Sequence, residues 1–178
     1  MLEKIKKADP TNLLKLECVI QSKNNMYIIT EFCEGNDLAK ILRKKKRLSE
    51  KEAQSIMKQL LNGYKELYSL GIIHRDLKPA NIFITKGLVK IADFGFATND
   101  EISKIKLNYN VGSPYYMPPE SLKHNQYSFL SDVWGIGVIA YQLLYGRVPW
   151  KDKDDQVLFN MITNCPIEKL FDSDKIVS

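Results

Sequence analysis

The sequence predicts an α+β fold in which short strands come first and helices fill most of the remaining chain. Three observations support this prediction. Two apolar, β-branched stretches lie within the first 32 residues, a capped amphipathic pattern starts at Ser49, and an almost continuous apolar stretch runs from Ser131 to Gly146. With 178 residues, 44% of them hydrophobic, the chain has the size and apolar content of one domain with a buried core.

The first part of the chain predicts a β-hairpin. A few helix-compatible residues precede a break at residues 9–10 (Asp-Pro), and residues 13–20 have a strand-like composition. The run NMYIITEF, residues 25–32, is apolar, β-branched and aromatic, and turn-forming residues bound it on both sides. We therefore expect a second strand there, paired with the first.

Two further helices are predicted from their caps. Residues 36–37 (Asn-Asp) favour the start of a short helix that runs to the basic stretch RKKKR, residues 43–47. We interpret this stretch as a solvated helix end, with a docking site for an acidic partner as the alternative. Ser49 and Glu52 form a capping box, and the apolar residues that follow recur at helical spacing until Gly71 ends the pattern.

The segment between the long helix and the buried helix predicts a hairpin and a loop. NIFI, residues 81–84, and LVKIA, residues 88–92, are short strand-like runs on either side of a tight turn at residues 86–87. Residues 93–111 show no apolar period, so they predict a long loop. Long loops inside compact domains are usually functional or disordered.

Composition narrows the class of protein only partly. The net charge of +5 and pI near 9.0 suit nucleic acid, a membrane surface or a nucleotide phosphate, but the basic residues form no long tract, and we expect no nucleic-acid partner. Cys18, Cys33 and Cys165 lie far apart, which favours a reducing compartment.

We see no signal peptide, and the longest apolar stretch is too short to span a bilayer. We therefore expect no transmembrane segment and a cytosolic or nuclear protein, with the cytoplasm preferred; the oligomeric state is not predicted.

The stretch GIIHRDLKPANIFI, residues 71–84, places several charged and polar groups between two apolar runs. Phosphoryl transfer from a nucleotide requires an aligned acceptor hydroxyl, a group that takes its proton, and cations that neutralise the phosphates. Asp76 can accept that proton, and Lys78 can reach the γ-phosphate that is transferred. Asn81 offers a neutral oxygen ligand to Mg²⁺, and the predicted hairpin returns the carboxylate of Asp93 to its side.

Four motifs resemble the signature set of eukaryotic protein kinases, and they occur in the order and at the spacing of that set. They are HRDLKPAN (74–81), ADFG (92–95), GSPYYMPPE (112–120) and SDVWGIGVIAYQLLYGRVPW (131–150). Lys78 and Ser113 resemble the residues of serine/threonine kinases at these places. The finer resemblance, carried by EGNDLAKIL, IADFGFAT and GSPYYMPPE, is to Unc-51-like autophagy kinases, with calcium-dependent and Aurora-type kinases as alternatives.

The resemblance implies ATP and Mg²⁺ as cofactors and serine or threonine hydroxyls of proteins as acceptors. It assigns Asp76 as catalytic base, Lys78 as the cation at the γ-phosphate, and Asn81 and Asp93 as Mg²⁺ ligands, with Asp93 also part of the ATP site. We expect His74 to be a packed, hydrogen-bonded structural residue.

For the adenosine part of ATP, the resemblance implies a second group of residues. Thr30 would be the gatekeeper, the carbonyl of Glu31 and the amide of Cys33 would face adenine, Asp37 would lie near the ribose, and Phe83 would form the adenine floor. We expect the Cys33 thiol itself to be an ordinary buried cysteine.

The resemblance also implies regulatory and structural residues. Arg75 would pair with a phosphorylated activation loop, in which Thr98, Ser103 and Tyr109 are the candidate phosphosites. The residues with implied structural roles are Ser113 beside Asp76, Glu120, and Asp132, which would brace the catalytic loop from the buried helix.

Relative to the family pattern, we expect a partial kinase domain truncated at both ends, with residues 1–32 as a remnant of the N-lobe, 33–37 as the hinge and 38–178 as an incomplete C-lobe. The sequence has no GxGxxG and no VAIK-like lysine, and the family's glutamate position falls on Met1, not Glu3. The family's arginine partner of Glu120 is also missing, which would leave a buried carboxylate unpaired.

We therefore expect the 178-residue chain to be weak or inactive alone. The alternative functions are a catalytically inactive kinase fragment that binds proteins and, less supported, a small-molecule phosphotransferase.

Overall fold

The computed structural model of the chain describes residues 2–99, 111–165 and 170, and it has the predicted α+β architecture. The helices are α1 (Leu2–Ala8), α2 (Leu38–Lys45), α3 (Glu50–Ser69), α4 (Pro119–His124), α5 (Phe129–Tyr145) and α6 (Asp155–Asn164). The strands are β1 (Leu16–Gln21), β2 (Met26–Thr30), β3 (Ile72–Ile73), β4 (Ile82–Thr85), β5 (Leu88–Ile91) and β6 (Thr98–Asn99). Single 3₁₀ turns occupy Pro79–Asn81, Phe94–Phe96 and Pro114–Tyr116.

The strands form three antiparallel pairs, β1 with β2, β3 with β6, and β4 with β5. Both predicted hairpins are confirmed. In the β4–β5 hairpin the two turn residues, Lys86 and Gly87, have φ angles of 50° and 80°. Positive φ at both central positions is the turn geometry that matches the twist of a tight hairpin. The hairpin therefore returns the chain directly from Ile82 to its partner Ile91.

The predicted caps of α2 and α3 are confirmed. The side chain of Asp37 accepts a hydrogen bond from the backbone N–H of Lys40 at 2.7 Å, which satisfies a donor of the first turn of α2. At α3, the Ser49 side chain accepts from the N–H of Glu52, and the Glu52 carboxylate accepts from the N–H of Ser49. Gly71, with φ of 69°, follows the end of α3.

The buried helix α5 starts two residues before its predicted position, because Ser128 caps it, and Gly146 with φ of 73° ends it. Helix α3 packs against α5 and β5, and the main core lies between these three elements. Its fully buried members include Leu60, Leu67, Ile91, Ile139 and Leu143. The core thus holds the segment between α3 and β5, which contains the polar loop, on a rigid base.

The loop predicted over residues 93–111 is only partly correct. It contains a 3₁₀ turn and the two-residue strand β6, which pairs with β3, whereas residues 100–110 lie outside the described part of the chain. Two residues are too few to show an apolar period, so the pairing left no sequence signal.

The β1–β2 hairpin is largely exposed, with every residue of β2 exposed. In the described part of the chain neither strand pairs with a third one. No helix in the described ranges is long and apolar enough to cross a membrane.

Candidate active site

Three predicted residues surround the carboxylate of Asp76: Lys78 and Asn81 from the polar loop between β3 and β4, and Ser113 from farther along the chain. This carboxylate is only 3% exposed. Its Oδ1 accepts from the Ser113 hydroxyl at 3.0 Å, and its Oδ2 accepts from the Lys78 ammonium at 2.7 Å and the Asn81 amide at 3.0 Å. The Lys78 ammonium also donates to the Ser113 hydroxyl at 3.0 Å. A buried carboxylate with both oxygens held in this way has a fixed position from which it can take a proton.

The backbone of the loop is held by Asp132 of α5. Its two carboxylate oxygens accept from the successive N–H groups of His74, at 2.7 Å, and Arg75, at 2.9 Å. Arg75 has φ of 67°, a left-handed conformation that non-glycine residues seldom adopt. Burial raises the pKa of Asp132 to about 6, against the lowering effect of these two hydrogen bonds. Asp132 thus stabilises the strained turn that precedes Asp76.

His74 is packed and hydrogen-bonded, as predicted. It has no exposed surface, its Nε2 lies 3.0 Å from the carbonyl of Ala92, and its Nδ1 accepts from the N–H of Asp76 at 3.3 Å. These two contacts fit the neutral imidazole with its proton on Nε2. Burial lowers the pKa of His74 further, so the ring is neutral and links the loop to the residue before Asp93.

The neutral state of His74 predicts a pH dependence of stability. Below the ordinary histidine pKa of 6.5, the unfolded chain binds a proton at this residue before the folded chain does, so acidification destabilises the fold. We expect the stability difference between the native chain and a His74→Gln variant to fall by up to about 1.4 kcal/mol per pH unit below that pKa. Urea unfolding at several pH values measures this difference.

The second histidine, exposed His124, is the matched control for this experiment. A His124→Gln variant should follow the native pH profile. An unchanged difference between native and His74→Gln chains across the same pH range would contradict the neutral, buried assignment.

Asn81 and Asp93 lie at the open end of the β4–β5 hairpin, opposite its turn. Ile82 pairs with Ile91, and the N–H of Ala92 donates to the carbonyl of Asn81 at 2.9 Å. Asp93 is exposed, with φ of 62°, and its Oδ1 accepts from the N–H of Gly95 at 3.3 Å. The Asn81 amide donates both to the carbonyl and to the carboxylate of Asp76, which leaves its oxygen as the atom that can bind a cation.

This pair fits an ion that takes most of its ligands from elsewhere. Mg²⁺ in nucleotide sites typically takes one or two protein oxygens and completes its shell with waters and phosphates. Within the described residues, no group of three or more His, Cys, Asp or Glu side chains is arranged to hold a metal ion. At this place the described residues offer one carboxylate and one amide oxygen, and this donor set suits a phosphate-bound Mg²⁺.

The segment that connects β2 to α2 lies along β4, close to Phe83. Asp37 forms a bridge with Phe83, and the N–H of Ile84 donates to the carbonyl of Asn36 at 3.1 Å. A Cβ added to Gly35 would lie 1.5 Å from the carbonyl oxygen of Ile84, so only glycine allows this approach. Phe83 is half-buried beneath the segment.

The other predicted adenosine residues differ in their surroundings. Asp37 uses both oxygens within α2, one as the cap and one in an ion pair with Lys40 at 3.1 Å. Cys33 is half-buried, and this burial raises the pKa of its thiol, which therefore stays protonated at neutral pH. Thr30 is exposed on β2 and lines a cavity of about 250 Å³ that also contacts Asp93 and Phe94.

Lys90 is a residue that the sequence analysis missed. Its ammonium pairs with the Glu31 carboxylate at 2.9 Å, and the same carboxylate accepts from the N–H of Lys15 at 2.8 Å. Burial alone would raise the pKa of Glu31, but these contacts outweigh it and lower the pKa. The ion pair joins β5 to the start of the connecting segment. A lone lysine in a strand pattern carries no signal of such a partner.

Of the predicted regulatory residues, the structure describes Arg75 and Thr98. The Arg75 guanidinium donates through Nε to the carbonyl of Phe96 at 2.6 Å and lies over the ring of Tyr127 at 5.5 Å. Thr98 is 8% exposed within β6, so its hydroxyl is not accessible to a modifying enzyme in this conformation. Phosphorylation of Thr98 therefore stays a prediction, and it would require a conformation that exposes this hydroxyl. Ser103 and Tyr109 lie outside the described residues.

The expectation that the Glu120 carboxylate is buried is wrong. It lies in the first turn of α4 and is half-buried, not buried. A carboxylate in the first turn of a helix benefits from the helix dipole, and its remaining exposure leaves it hydrated. The large energetic cost expected for an unpaired buried carboxylate therefore does not apply.

Tyr127 and Asn12 are structural residues that the sequence analysis did not assign to the site. The Tyr127 hydroxyl donates to the carbonyl of Val111 at 2.9 Å and accepts from its N–H at 3.0 Å, which anchors the chain next to Ser113. Asn12 donates to the carbonyl of Val89 at 2.9 Å and so ties the N-terminal segment to β5. Both contacts are long-range, and neither residue type predicts them.

A family model for the protein kinase domain matches residues 2–177, and the chain belongs to that family. Serine/threonine-protein kinase atg1 of Dictyostelium discoideum is 36% identical over 171 residues, covering 92% of this chain and 25% of the relative. CBL-interacting protein kinase 17 of Oryza sativa subsp. japonica is 37% identical over 159 residues, covering 85% and 34%. Sperm motility kinase 2B of Mus musculus is 39% identical over 163 residues, covering 90% and 34%. The chain thus spans about a quarter to a third of the length of these relatives.

Proposed function

We propose that this domain transfers the γ-phosphate of Mg-ATP to serine and threonine hydroxyls of proteins. The observation that carries the proposal is the position of Asp76, whose carboxylate is held by Lys78, Asn81 and Ser113. The name of one relative supports the acceptor class, since the Dictyostelium discoideum protein is called a serine/threonine-protein kinase.

Each residue of the loop has a chemical task in this proposal. Asp76 orients the acceptor hydroxyl and takes its proton, while Lys78, which lies on the same carboxylate, places a positive charge beside the transferred group. Asn81 and Asp93 would hold Mg²⁺. When bound, Mg-ATP supplies the phosphoryl group and the cation that neutralises its charge.

For the rest of the domain we propose the expected division into residues 1–32 as part of the N-lobe, 33–37 as the hinge and 38–178 as the C-lobe. The close contact of Gly35 with β4 supports a hinge that lies over Phe83. Adenine would then contact the backbone of Glu31 and Cys33, and Asp37 would have to release one oxygen from Lys40 to reach a ribose.

The regulatory and cellular parts of the proposal rest on resemblance. Arg75 would bind a phosphate on the loop that contains Ser103 and Tyr109. A role in autophagy rests on the motif resemblance, to which the 36% identity to the Dictyostelium atg1 kinase adds support. The cytoplasmic location stays a prediction from the sequence.

A second candidate function is a catalytically inactive module that binds proteins. This function predicts no change in the melting temperature of the chain when Mg-ATP is added. A shift of several degrees that requires Mg²⁺ would favour the enzyme.

The proposed function predicts that Asp93→Ala abolishes Mg-dependent ATP turnover by the protein that carries this domain. Losing one charged contact at the reacting phosphates should reduce kcat by about 10²–10³-fold or more. Asp93→Asn preserves the bond to the N–H of Gly95 and removes only the charge, so it should lose nearly as much. Phosphate release and protein phosphorylation measure the loss.

Asp155→Ala, at an exposed carboxylate of α6, is the matched control and should keep native turnover. Native turnover in both Asp93 variants would show that the metal-ligand assignment is wrong.

A further inference from the structure

The basic run, residues 43–47, is not used by the proposed function. All five side chains are exposed. The dipole of α2 favours cations in its last turn, which accounts for the first three. Lys46 and Arg47 lie beyond the helix, and Lys46 has φ of 68°, where glycine or asparagine is usual. A solvated helix end alone therefore does not explain the whole run.

The basic run is held in a fixed position. The N–H of Lys46 donates to the carbonyl of Leu42 at 2.8 Å, and the N–H of Leu48 donates to the carbonyl of Leu143 at 2.8 Å. A Cβ on Gly146 would lie 2.5 Å from the carbonyl oxygen of Lys46, so this segment packs closely on the end of α5. A charged ligand would meet a pre-organised surface, which reduces the entropic cost of binding.

An apolar groove of about 560 Å³ lies directly beside the basic run, between α2, the first turns of α3 and the β4–β5 hairpin. We call it the α2–α3 groove. Its apolar lining residues are Ile41, Leu48, Ile56, Ile84 and Val89. Lys45, Lys51 and Glu52 also line the groove. The Glu52 carboxylate is paired with Lys45, which is the first cause of its lowered pKa, so these three side chains together carry a net charge of +1. The groove thus combines an apolar floor with a cationic edge.

We propose that the α2–α3 groove and the basic run together bind an extended segment of a partner protein in which acidic side chains are followed by apolar ones. Charge complementarity supports this occupant, because residues 43–52 contain six basic and two acidic side chains. The apolar groups would fill the groove while the acidic groups contact the run. The site is separate from Asp76 and Asp93 and does not depend on phosphoryl transfer.

Other polyanions fit this surface less well. The apolar lining is recessed between two helices and a hairpin, whereas a membrane requires apolar groups that protrude. The groove is lined by no aromatic side chain within the described residues, so it offers no surface on which bases can stack. A protein segment satisfies both the shape and the charge.

Fluorescence anisotropy with the complete 178-residue chain and a fluorescein-labelled peptide, EEDDGLIVL, tests the proposal without nucleotide. We expect saturable binding that weakens between about 0.05 M and about 0.5 M salt. The peptides EEDDGSGSG and KKRRGLIVL, which each lack one of the two features, should bind much more weakly. Equal binding of EEDDGSGSG, of a single-stranded oligonucleotide or of anionic vesicles would overturn the proposal, because it would show a surface for polyanions in general.

Two sets of variants locate the binding. Lys44→Gln with Arg47→Gln removes two exposed charges and should weaken binding about tenfold at low salt. Ser55→Phe, at an exposed position that lines the groove, should block the apolar half without removing any core contact. Lys4→Gln with Lys7→Gln, on α1, is the charge-matched control and should bind like the native chain. No saturable binding by the native chain, or equal losses in both double variants, would refute the site.

Discussion

Replacement of Asp76 by asparagine should lower the kcat of phosphoryl transfer by about 10²–10⁴-fold in the protein that carries this domain, while KM for ATP stays near its native value. The amide keeps the size of the carboxylate but can no longer accept the proton of the acceptor hydroxyl. Because Asp76 contacts neither Asn81's free oxygen nor Asp93, nucleotide binding should be preserved.

The geometry allows asparagine to fit this position. Its oxygen can accept from Lys78 and Asn81 where Oδ2 does now, and its NH₂ group can donate to the Ser113 hydroxyl, which is an acceptor as well as a donor. We therefore expect unchanged thermal stability alongside the loss of activity.

Steady-state transfer to a protein substrate separates the two kinetic parameters. Ser113→Ala is the informative comparison, since it removes one hydrogen bond to Asp76 but keeps the base, and it should cost far less than Asp76→Asn. If Asp76→Asn instead loses activity through a higher KM for ATP with an unchanged kcat, the role of Asp76 as the base is contradicted.

The local signals in the sequence were sufficient for the elements with strong caps. Helix α3 was predicted at both ends because the Ser49–Glu52 box and Gly71 act within a few residues of the helix termini. The β4–β5 hairpin followed from its two-residue turn. Helix α6 was not assigned, although Asp154 before a run of apolar residues at helical spacing is a comparable signal.

The site was predicted where chemistry is concentrated in a short stretch. Asp76, Lys78 and Asn81 lie within six residues, and one hairpin brings Asp93 beside them. The contacts of Lys90 with Glu31 could not be predicted in this way. They join residues far apart in the chain, and their partners depend on tertiary packing, which a single sequence does not encode as a local pattern.

The burial of Thr98 could not be predicted from the residues around it in the sequence. A threonine in a polar loop suggests an accessible hydroxyl, yet its strand pairs with Ile72–Ile73 and buries it. The signal for burial lay in a distant two-residue strand and not in the loop itself.

Replacement of Asp132 by alanine should destabilise the domain by about 2–4 kcal/mol. It would leave the N–H groups of His74 and Arg75 without an acceptor, and a buried unsatisfied donor costs about 1–3 kcal/mol. Burial of the charged Asp132 carboxylate is itself unfavourable, which is why its pKa is raised. The alanine variant removes this unfavourable burial, and this offsets part of the cost. A loss of this size is a large share of the about 5–15 kcal/mol that stabilises a typical domain.

Asp154 provides a matched control, because it also accepts two backbone N–H bonds, from Gln156 and Val157, but does so on the surface. Asp154→Ala removes a helix cap and should cost about 1 kcal/mol, since water can replace the lost acceptor. Urea unfolding with matched m-values measures both variants. Since the two aspartates make the same number of backbone hydrogen bonds, the difference between their losses isolates the effect of burial. Equal losses would mean that water reaches the N–H groups of His74 and Arg75, and Asp132 would then not be what holds the left-handed turn before Asp76.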